Sequence, residues 1–216
     1  MRYESKEIRT IENLADVLDA ARNPVLLVEG IRALPDKDRQ TVFSAGRMLA
    51  EGMPTVIFRS GNAEGTDTAF AEGVTAVAPE RMEYVTTHPG MGRKRRHPLA
   101  RLVSLDSISD SEGISLDRHT VSASSEAERL VKACRDRDGA GALAARAKYL
   151  LRDTLKVVGS AELRLFPATA AVFYANEADP LSGGTGHTIR VCYRHDVPVV
   201  MQSVWRHWLA LREGRR

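Results

Sequence analysis

Short apolar runs, each closed by a turn residue and followed by a helical pattern, constrain the fold of this chain most strongly. Residues 25–29 (Val-Leu-Leu-Val-Glu) are apolar up to the glutamate and lie between Pro24 and Gly30. Such a run is typical of a parallel strand covered by helices on both faces. A helical pattern over 36–52 and a second apolar run at 55–59 follow. This alternation predicts βαβ units and a parallel sheet.

The alternation continues to the end of the chain. The remaining predicted elements are strands at 84–86, 169–174 and 197–201, helices at 66–74, 126–136 and 139–158, a helix from about residue 187, and a terminal segment at 205–211. Residues 91–125 are polar and are predicted to form a long surface excursion with a strand at 102–105. We therefore predict an α/β fold, a Rossmann-like open parallel sheet flanked by helices, in one domain spanning residues 1–216.

Composition narrows the class of protein. Hydrophobic residues make up 43% and charged residues 27% of the 216, as in an ordinary globular domain. No apolar run approaches the roughly 20 residues of a membrane span, and the N-terminus lacks a secretory apolar region. We expect a cytoplasmic protein with no membrane partner. The two cysteines, Cys134 and Cys192, and the six scattered histidines lack metal-ligand spacing, so no metal site is predicted.

Two glycine-rich loops carry the chemistry. Residues 60–67 read Ser-Gly-Asn-Ala-Glu-Gly-Thr-Asp and residues 182–188 read Ser-Gly-Gly-Thr-Gly-His-Thr, each between a predicted strand and a predicted helix. Glycine lets a ligand approach the main chain, and unpaired amides at a helix start favour an anion. Neither loop ends in the Gly-Lys-Ser/Thr of a Walker A motif, and no GxGxxG follows the first strand. Standard ATPase and dehydrogenase functions are therefore disfavoured.

Together with residues 30–32 (Gly-Ile-Arg), these loops resemble the SLOG superfamily of Rossmann-like nucleotide-binding proteins. That superfamily includes the cytokinin-activating phosphoribohydrolases and the DNA-processing Smf proteins. The resemblance extends over residues 25 to 201. It implies that Arg32 faces the ligand and that phosphate or ribose contacts Gly61, Asn62, Gly183, Gly184, Thr185 and Gly186.

Neighbouring residues extend this candidate site. Asp67 starts a predicted helix, where it either caps the helix or accepts from a ribose hydroxyl. His187 is a candidate for a phosphate contact or a proton shuttle, and Asn176 follows the fifth predicted strand. The other expected ligand-binding residues are Gly30, Ser60, Thr188 and Arg190.

The second loop departs from the phosphoribohydrolases, whose motif is Gly-Gly-x-Gly-Thr-x-x-Glu with a catalytic final glutamate. Here His187 stands at the position of the threonine and Arg190 at that of the glutamate. An arginine is not a carboxylate acid or base, but its guanidinium binds two phosphate oxygens at once. The departure favours binding over hydrolysis. If hydrolysis occurs, the remaining candidates for a catalytic role are Asp67, Glu177 and His187.

One concentrated basic segment lies at residues 93–101, which begins Arg-Lys-Arg-Arg-His. Such a segment is a solvated loop face, a nucleic-acid contact or a flap that folds over the ligand. No aromatic residues are interleaved with the charges, so a stacking platform for single strands is missing.

The sequence supports three functional hypotheses. The leading one is a nucleotide or nucleotide-derivative binding protein, a sensor or carrier that needs no cofactor and binds a nucleotide, phosphate or sulfate. The alternative is a nucleoside-monophosphate phosphoribohydrolase, and a further alternative is single-stranded nucleic-acid binding through residues 93–101. Apolar helix faces and the tail with Trp205 and Trp208 are candidates for a dimer interface as well as for the core, and a homo-oligomer, a dimer, is expected because it is common for such folds.

Overall fold

One parallel sheet organises the chain. The computed structural model describes residues 8–135 and 141–214, and in that part six strands form a single sheet. They are β1 (Val25–Gly30), β2 (Ile57–Ser60), β3 (Met82–Thr86), β4 (Arg101–Ser104), β5 (Ala170–Tyr174) and β6 (Val199–Met201). Their order across the sheet is β4-β3-β2-β1-β5-β6, and all neighbours are parallel. The chain therefore changes direction across the sheet between β1 and β5, the topological switch point of the fold.

Helices cover both faces of this sheet. They are α1 (Ile11–Asp19), α2 (Asp36–Gly52), α3 (Thr66–Thr75), α4 (Asp110–Ala123), α5 (Ser125–Arg135), α6 (Gly141–Val158), α7 (Gly183–Arg194) and α8 (Gln202–Glu213). Leu26 and Val28 of β1 join the core under α1, α2, α3 and α8, whereas Leu27 joins the core under α4, α6 and α7. This division explains why residues 25–28 are continuously apolar, because both faces of β1 are buried. The predicted Rossmann-like α/β fold is confirmed.

The C-terminal tail packs on its own sheet. Trp205 and Trp208 are buried, and the Trp205 indole donates to the carbonyl oxygen of Phe173 over 3.0 Å. The Trp205 ring also meets Phe70 edge-on, with ring centroids 5.8 Å apart. The expectation that these tryptophans serve a dimer interface is therefore wrong, because they belong to the core of this chain. None of the described helices is both long and apolar enough to cross a membrane.

Two of the observed helices were not predicted from the sequence. One is α1, and the other, α4, lies with β4 inside residues 91–125, which were expected to be a surface excursion. The predicted strand at 102–105 is confirmed as the edge strand β4, whereas α4 was not predicted and packs against α5 and α6. The polar residues of α4 have local roles, since Ser109 caps the helix by accepting from the Glu112 amide and Thr120 donates to the Leu116 carbonyl oxygen. The residues 136–140 that the predicted helices reach lie outside the described part of the chain.

Two glycines bring the helices α2 and α3 into close contact. A Cβ atom on Gly46 would lie 2.4 Å from the carbonyl oxygen of Phe70, and one on Gly73 would lie 2.1 Å from that of Phe43. Both distances are far below a normal carbon–oxygen contact. The backbones of α2 and α3 therefore touch directly, and this contact sets the position of α3.

We predict that Gly73→Ala lowers the free energy of unfolding by about 1–3 kcal/mol, because the added methyl forces α2 and α3 apart. Gly52→Ala is the matched control, since nothing lies within 4 Å of its Cβ position at the end of α2. That control should be neutral or stabilising by up to about 1 kcal/mol. Urea unfolding of both variants makes the comparison, and equal effects would contradict direct backbone contact.

Candidate functional site

A cavity of about 550 Å³ lies at the switch point, beyond the carboxyl ends of β1 and β5. Its walls come from the loops after these strands and from α3, α5, α6 and α7. Ligands of open α/β sheets bind at this position. Of the residues predicted from the sequence, those lining the cavity are Gly30, Arg32, Asp67, Asn176, Gly183, Gly184, Thr185, His187, Thr188 and Arg190.

Two predicted residues of the first loop, Ser60 and Asn62, form hydrogen bonds within the chain and do not line the cavity. Ser60 is buried, and its hydroxyl accepts from the Asn62 amide over 3.3 Å. The Asn62 side chain donates to the carbonyl oxygens of Met91 and Gly92, both at 3.2 Å, so it holds the start of the basic segment in place. Neither residue lines the cavity.

Gly186 and Glu177 also lie outside the cavity lining. A Cβ atom on Gly186 would lie 1.9 Å from the carbonyl carbon and oxygen of Leu181, so this glycine lets α7 pack on the turn that precedes it. Glu177 is exposed to solvent on the loop after β5. On the same loop, the Asn176 side chain accepts from the Ala178 amide over 3.1 Å and closes a local turn at the cavity edge.

Gly61 lies directly beneath the guanidinium group of Arg152. Nη1 of Arg152 donates to the Gly61 carbonyl oxygen over 2.6 Å, and a Cβ atom on Gly61 would lie 1.9 Å from that Nη1. Only glycine leaves room for this contact. Gly61 therefore shapes the cavity floor by admitting Arg152 from α6.

The floor of the cavity is a buried cluster of charged side chains. Lys156 of α6 has its ammonium nitrogen 2.5 Å from Oε1 of Glu29 and 2.8 Å from Oδ1 of Asp153. Asp153 also pairs with Nε of Arg152 at 3.0 Å. The exposed fractions of these four residues are between 2% and 4%, so the ion pairs are shielded from water. The cluster ties α6 to the end of β1.

Sequence reasoning missed the α6 members of this cluster. Glu29 pairs with Lys156, whereas the buried Arg59 pairs with Glu83 of β3, Nη2 to Oε2 2.8 Å. Lys156, Asp153 and Arg152 carry charges within a predicted amphipathic helix, a pattern that is normally a solvated face. In the sequence, the only sign is that these charges lie next to the apolar residues Leu155 and Val157, both of which the structure buries.

The electrostatic surroundings of the two buried carboxyl groups differ. Burial raises the pKa of Glu29 to about 7, with Asp67 and Asp153 acting in the same direction and Lys156 opposing them. Burial also raises the pKa of Asp153, but Arg152 and Lys156 outweigh burial and leave it below the ordinary value. Glu29 therefore exchanges its proton near neutral pH, while Asp153 stays ionised.

Asp67 connects the end of β1 with the loop that follows β2. Its Oδ1 accepts from the Gly30 amide and its Oδ2 accepts from the Ala63 amide, both at 3.2 Å. The carboxylate is buried and lines the cavity. Asp67 lies at the start of α3, as predicted, but it is not the N-cap residue, which is Gly65. Its carboxylate accepts hydrogen bonds from loop amides instead.

The second glycine-rich loop is the first turn of α7 itself, because the helix begins at Gly183 rather than near His187. The N-cap residue, Ser182, makes no side-chain capping hydrogen bond. Gly183 has a φ of +60° and open space around its Cβ position, and both Gly183 and Gly184 are exposed at the cavity wall. The first amides of this helix, which lack partners within the helix, therefore lie at the cavity wall without a capping hydrogen bond from Ser182.

His187 is buried one turn into α7. Its Nε2 lies 3.0 Å from the Thr154 hydroxyl, which in turn is 2.8 Å from the Thr120 hydroxyl. Nδ1 is buried and has no hydrogen-bond partner among the described residues. Burial lowers the pKa of His187 to about 4, and Arg190 and Lys156 lower it further against the opposing effect of Asp153. The imidazole is therefore neutral at pH 7.

Two arginines lie at the cavity wall. Nη1 of Arg190 donates to the Leu181 carbonyl oxygen over 2.6 Å, which fixes the turn before α7. Arg32 is exposed, and its guanidinium carbon lies 5.0 Å from the centroid of the Tyr149 ring. Within the described residues no ion pair is found for Arg32, so its charge is available at the mouth of the cavity.

The basic segment at 93–101 is largely bound to its own chain. Arg95 pairs with Glu64 at 3.1 Å, and Arg96 donates to the Pro89 carbonyl oxygen over 3.0 Å. Arg101 pairs with Glu83, Nη1 to Oε1 2.6 Å. Arg93 and Lys94 remain as its exposed cations.

No protein-family model and no curated protein matches the chain. A solved structure of DNA processing protein A from Helicobacter pylori, described for its single-stranded DNA binding mode, is similar with a TM-score of 0.41 and 14% sequence identity. The similarity covers 92% of this chain and 75% of that one. A TM-score of this size is too low to assign a ligand or a family to this chain.

We predict that Lys156→Met lowers the free energy of unfolding by about 3–5 kcal/mol at neutral pH, because it leaves buried carboxyl groups without their cation. The control is Lys148→Met, which removes an exposed lysine from the same helix and should change stability by less than about 0.5 kcal/mol. Chemical denaturation measures both. Equal effects would contradict the role assigned to Lys156.

A second prediction concerns pH. Because the pKa of Glu29 is higher in the folded state than its ordinary value of 4.5, its contribution to stability is complete below pH 4.5 and is lost as the pH rises to about 7. Relative to Glu29→Gln, the unmodified protein should lose roughly 3 kcal/mol over this interval. Unfolding free energies at several pH values test this, with Glu128→Gln as the control for removing an exposed carboxylate. Parallel profiles for the unmodified protein and Glu29→Gln would refute the prediction.

Proposed function

We propose that the chain binds a nucleotide or nucleotide derivative in the switch-point cavity and acts as a sensor or carrier. The observation that supports this most directly is the start of α7, where exposed Gly183 and Gly184 bring uncapped helix amides to the cavity wall. A phosphate group there would accept hydrogen bonds from these amides and would lie at the positive end of the helix dipole.

The size and composition of the cavity agree with such a ligand. Its volume of about 550 Å³ is within the range of about 300–1,000 Å³ that small-molecule sites occupy. Arg32 at the mouth offers a second contact for a phosphate oxygen, since a guanidinium binds oxyanions in a fork. The same walls include the apolar residues Leu130 and Leu150, which suit the uncharged part of a ligand.

An anion at this place must coexist with Asp153. Oδ2 of Asp153 lies 3.2 Å from the Cβ position of Gly184, close to the start of α7. Arg152 and Lys156 neutralise this carboxylate, and Glu29 carries a proton for part of the time at neutral pH. The floor is therefore close to electrical balance, so its carboxyl groups do not prevent an anion from binding above it.

A second candidate, hydrolysis of a nucleoside monophosphate, is favoured by one observation. Glu29 lines the cavity and has a pKa near 7, which suits a group that gives or takes a proton. The carboxylates expected to do this from the sequence fit less well, because Asp67 uses both oxygens on backbone amides and Glu177 is exposed outside the cavity lining. Nucleic-acid binding has less support, since Arg95, Arg96 and Arg101 are already engaged.

A thermal-shift screen tests the proposal. Nucleosides, nucleoside mono-, di- and triphosphates, dinucleotides and single-stranded DNA are added separately, and every hit is recovered and chromatographed. We expect a rise in melting temperature with phosphate-bearing nucleotides, because a ligand that binds the folded state stabilises it. Recovery of the unchanged compound supports a binding protein, and recovery of free base with ribose phosphate supports the hydrolase. A shift with single-stranded DNA alone would contradict the nucleotide site.

We predict that Gly184→Val weakens nucleotide binding at least about tenfold, because its side chain would occupy the position of the anion at the start of α7. Gly90→Val is the control, since Gly90 lies on an exposed loop away from the cavity lining. Titration calorimetry gives the affinities and circular dichroism verifies folding. Unchanged affinity in folded Gly184→Val would remove this turn from the site.

A further inference from the structure

Part of the cavity wall is left unexplained by phosphate binding. Leu130 of α5 and Tyr149 and Leu150 of α6 line the cavity with an aromatic ring and two aliphatic side chains. An anion gains nothing from these side chains. They indicate that the ligand has an apolar, flat portion in addition to its charged one.

Two guanidinium groups lie near the Tyr149 ring, one buried and one exposed. The guanidinium carbon of Arg152 lies 5.6 Å from the ring centroid, and this arginine is buried and fixed by the Gly61 carbonyl oxygen and Asp153. The guanidinium of Arg32, at 5.0 Å, is instead exposed. A guanidinium is planar, so the Tyr149 ring already lies beside one exposed planar group.

The spacing along α6 relates this ring to the start of α7. Tyr149 and Asp153 are one helical turn apart, which places them on the same face and about 6 Å apart along the helix axis. Asp153 in turn lies beside Gly184. One helical turn of α6 therefore separates Tyr149 from the residue beside the proposed phosphate position, a spacing of about the size of one pentose.

We infer that Tyr149 is the specificity-determining residue of this site and stacks against the base of a nucleoside monophosphate in the place that Arg32 now occupies. The inference rests on the proposed function, because it takes the phosphate to lie at the start of α7. The base displaces the exposed Arg32 from the ring and frees its guanidinium for the phosphate. The ligand class is then a planar heterocycle joined by one pentose to a phosphate, and a sugar phosphate without a base binds more weakly.

Titration calorimetry with matched variants and matched ligands tests this. The variants are Tyr149→Leu, which removes the ring but keeps an apolar side chain, and Tyr149→Phe, which keeps the ring. The ligands are the adenosine, guanosine, cytidine and uridine 5′-monophosphates and ribose 5-phosphate, which has the same sugar and phosphate without a base. Thermal melting and circular dichroism establish that each variant is folded.

We expect Tyr149→Leu to weaken the best nucleotide about tenfold or more, and Tyr149→Phe to stay within about threefold of the unmodified protein. Ribose 5-phosphate should bind all three proteins alike. Equal loss of both ligands in Tyr149→Leu, or no loss of either, would overturn the stacking role while leaving the phosphate site intact. If the unmodified protein binds none of these compounds, the proposed function itself fails. If Tyr149→Leu does not fold, the test is the affinity of the unmodified protein for the nucleotide relative to ribose 5-phosphate. Tighter binding of the nucleotide supports the inference, and equal affinities overturn it.

Discussion

The site depends on two buried ion pairs, which the ammonium group of Lys156 makes with Glu29 and Asp153. These ion pairs join α6 to the carboxyl end of β1. The strand order reverses there, and open α/β sheets form a crevice at such a switch point. Burying three charges is costly, and such a group is stable only while all partners are present. The strand order places the cavity at the switch point, and the cluster holds side chains of α6 at its floor.

The same helix supplies the other fixed points of the floor. Arg152 crosses to the first glycine-rich loop and bonds Gly61, so the loop after β2 is positioned by α6 as well as by Asp67. On the opposite wall, α7 presents its first turn beside Asp153. The two glycine-rich loops thus have different tasks. The first is packed and supports the charged floor, whereas the second is open and presents its amides to the cavity.

The sequence predicted the sheet well, because strand burial on both faces leaves an apolar run that needs no knowledge of tertiary contacts, as at residues 25–28. It also located the walls made by Gly30, Arg32 and Gly183, since glycine at a strand-to-helix turn has a local cause. The sequence prediction failed where contacts between residues far apart in the chain determine the structure. Lys156 and Arg152 become functional candidates only once α6 is seen to lie over β1, and α4 looked like a loop because its serines and threonines bond to its own backbone.

The most direct test of this account is a crystal structure of the protein grown or soaked with a nucleoside monophosphate. The account predicts phosphate density within hydrogen-bond distance of the amides at the start of α7, with the base beside Tyr149 and the Glu29–Lys156–Asp153 cluster unchanged beneath it. Nucleotide density bound to Arg93 and Lys94 with an empty switch-point cavity would contradict it.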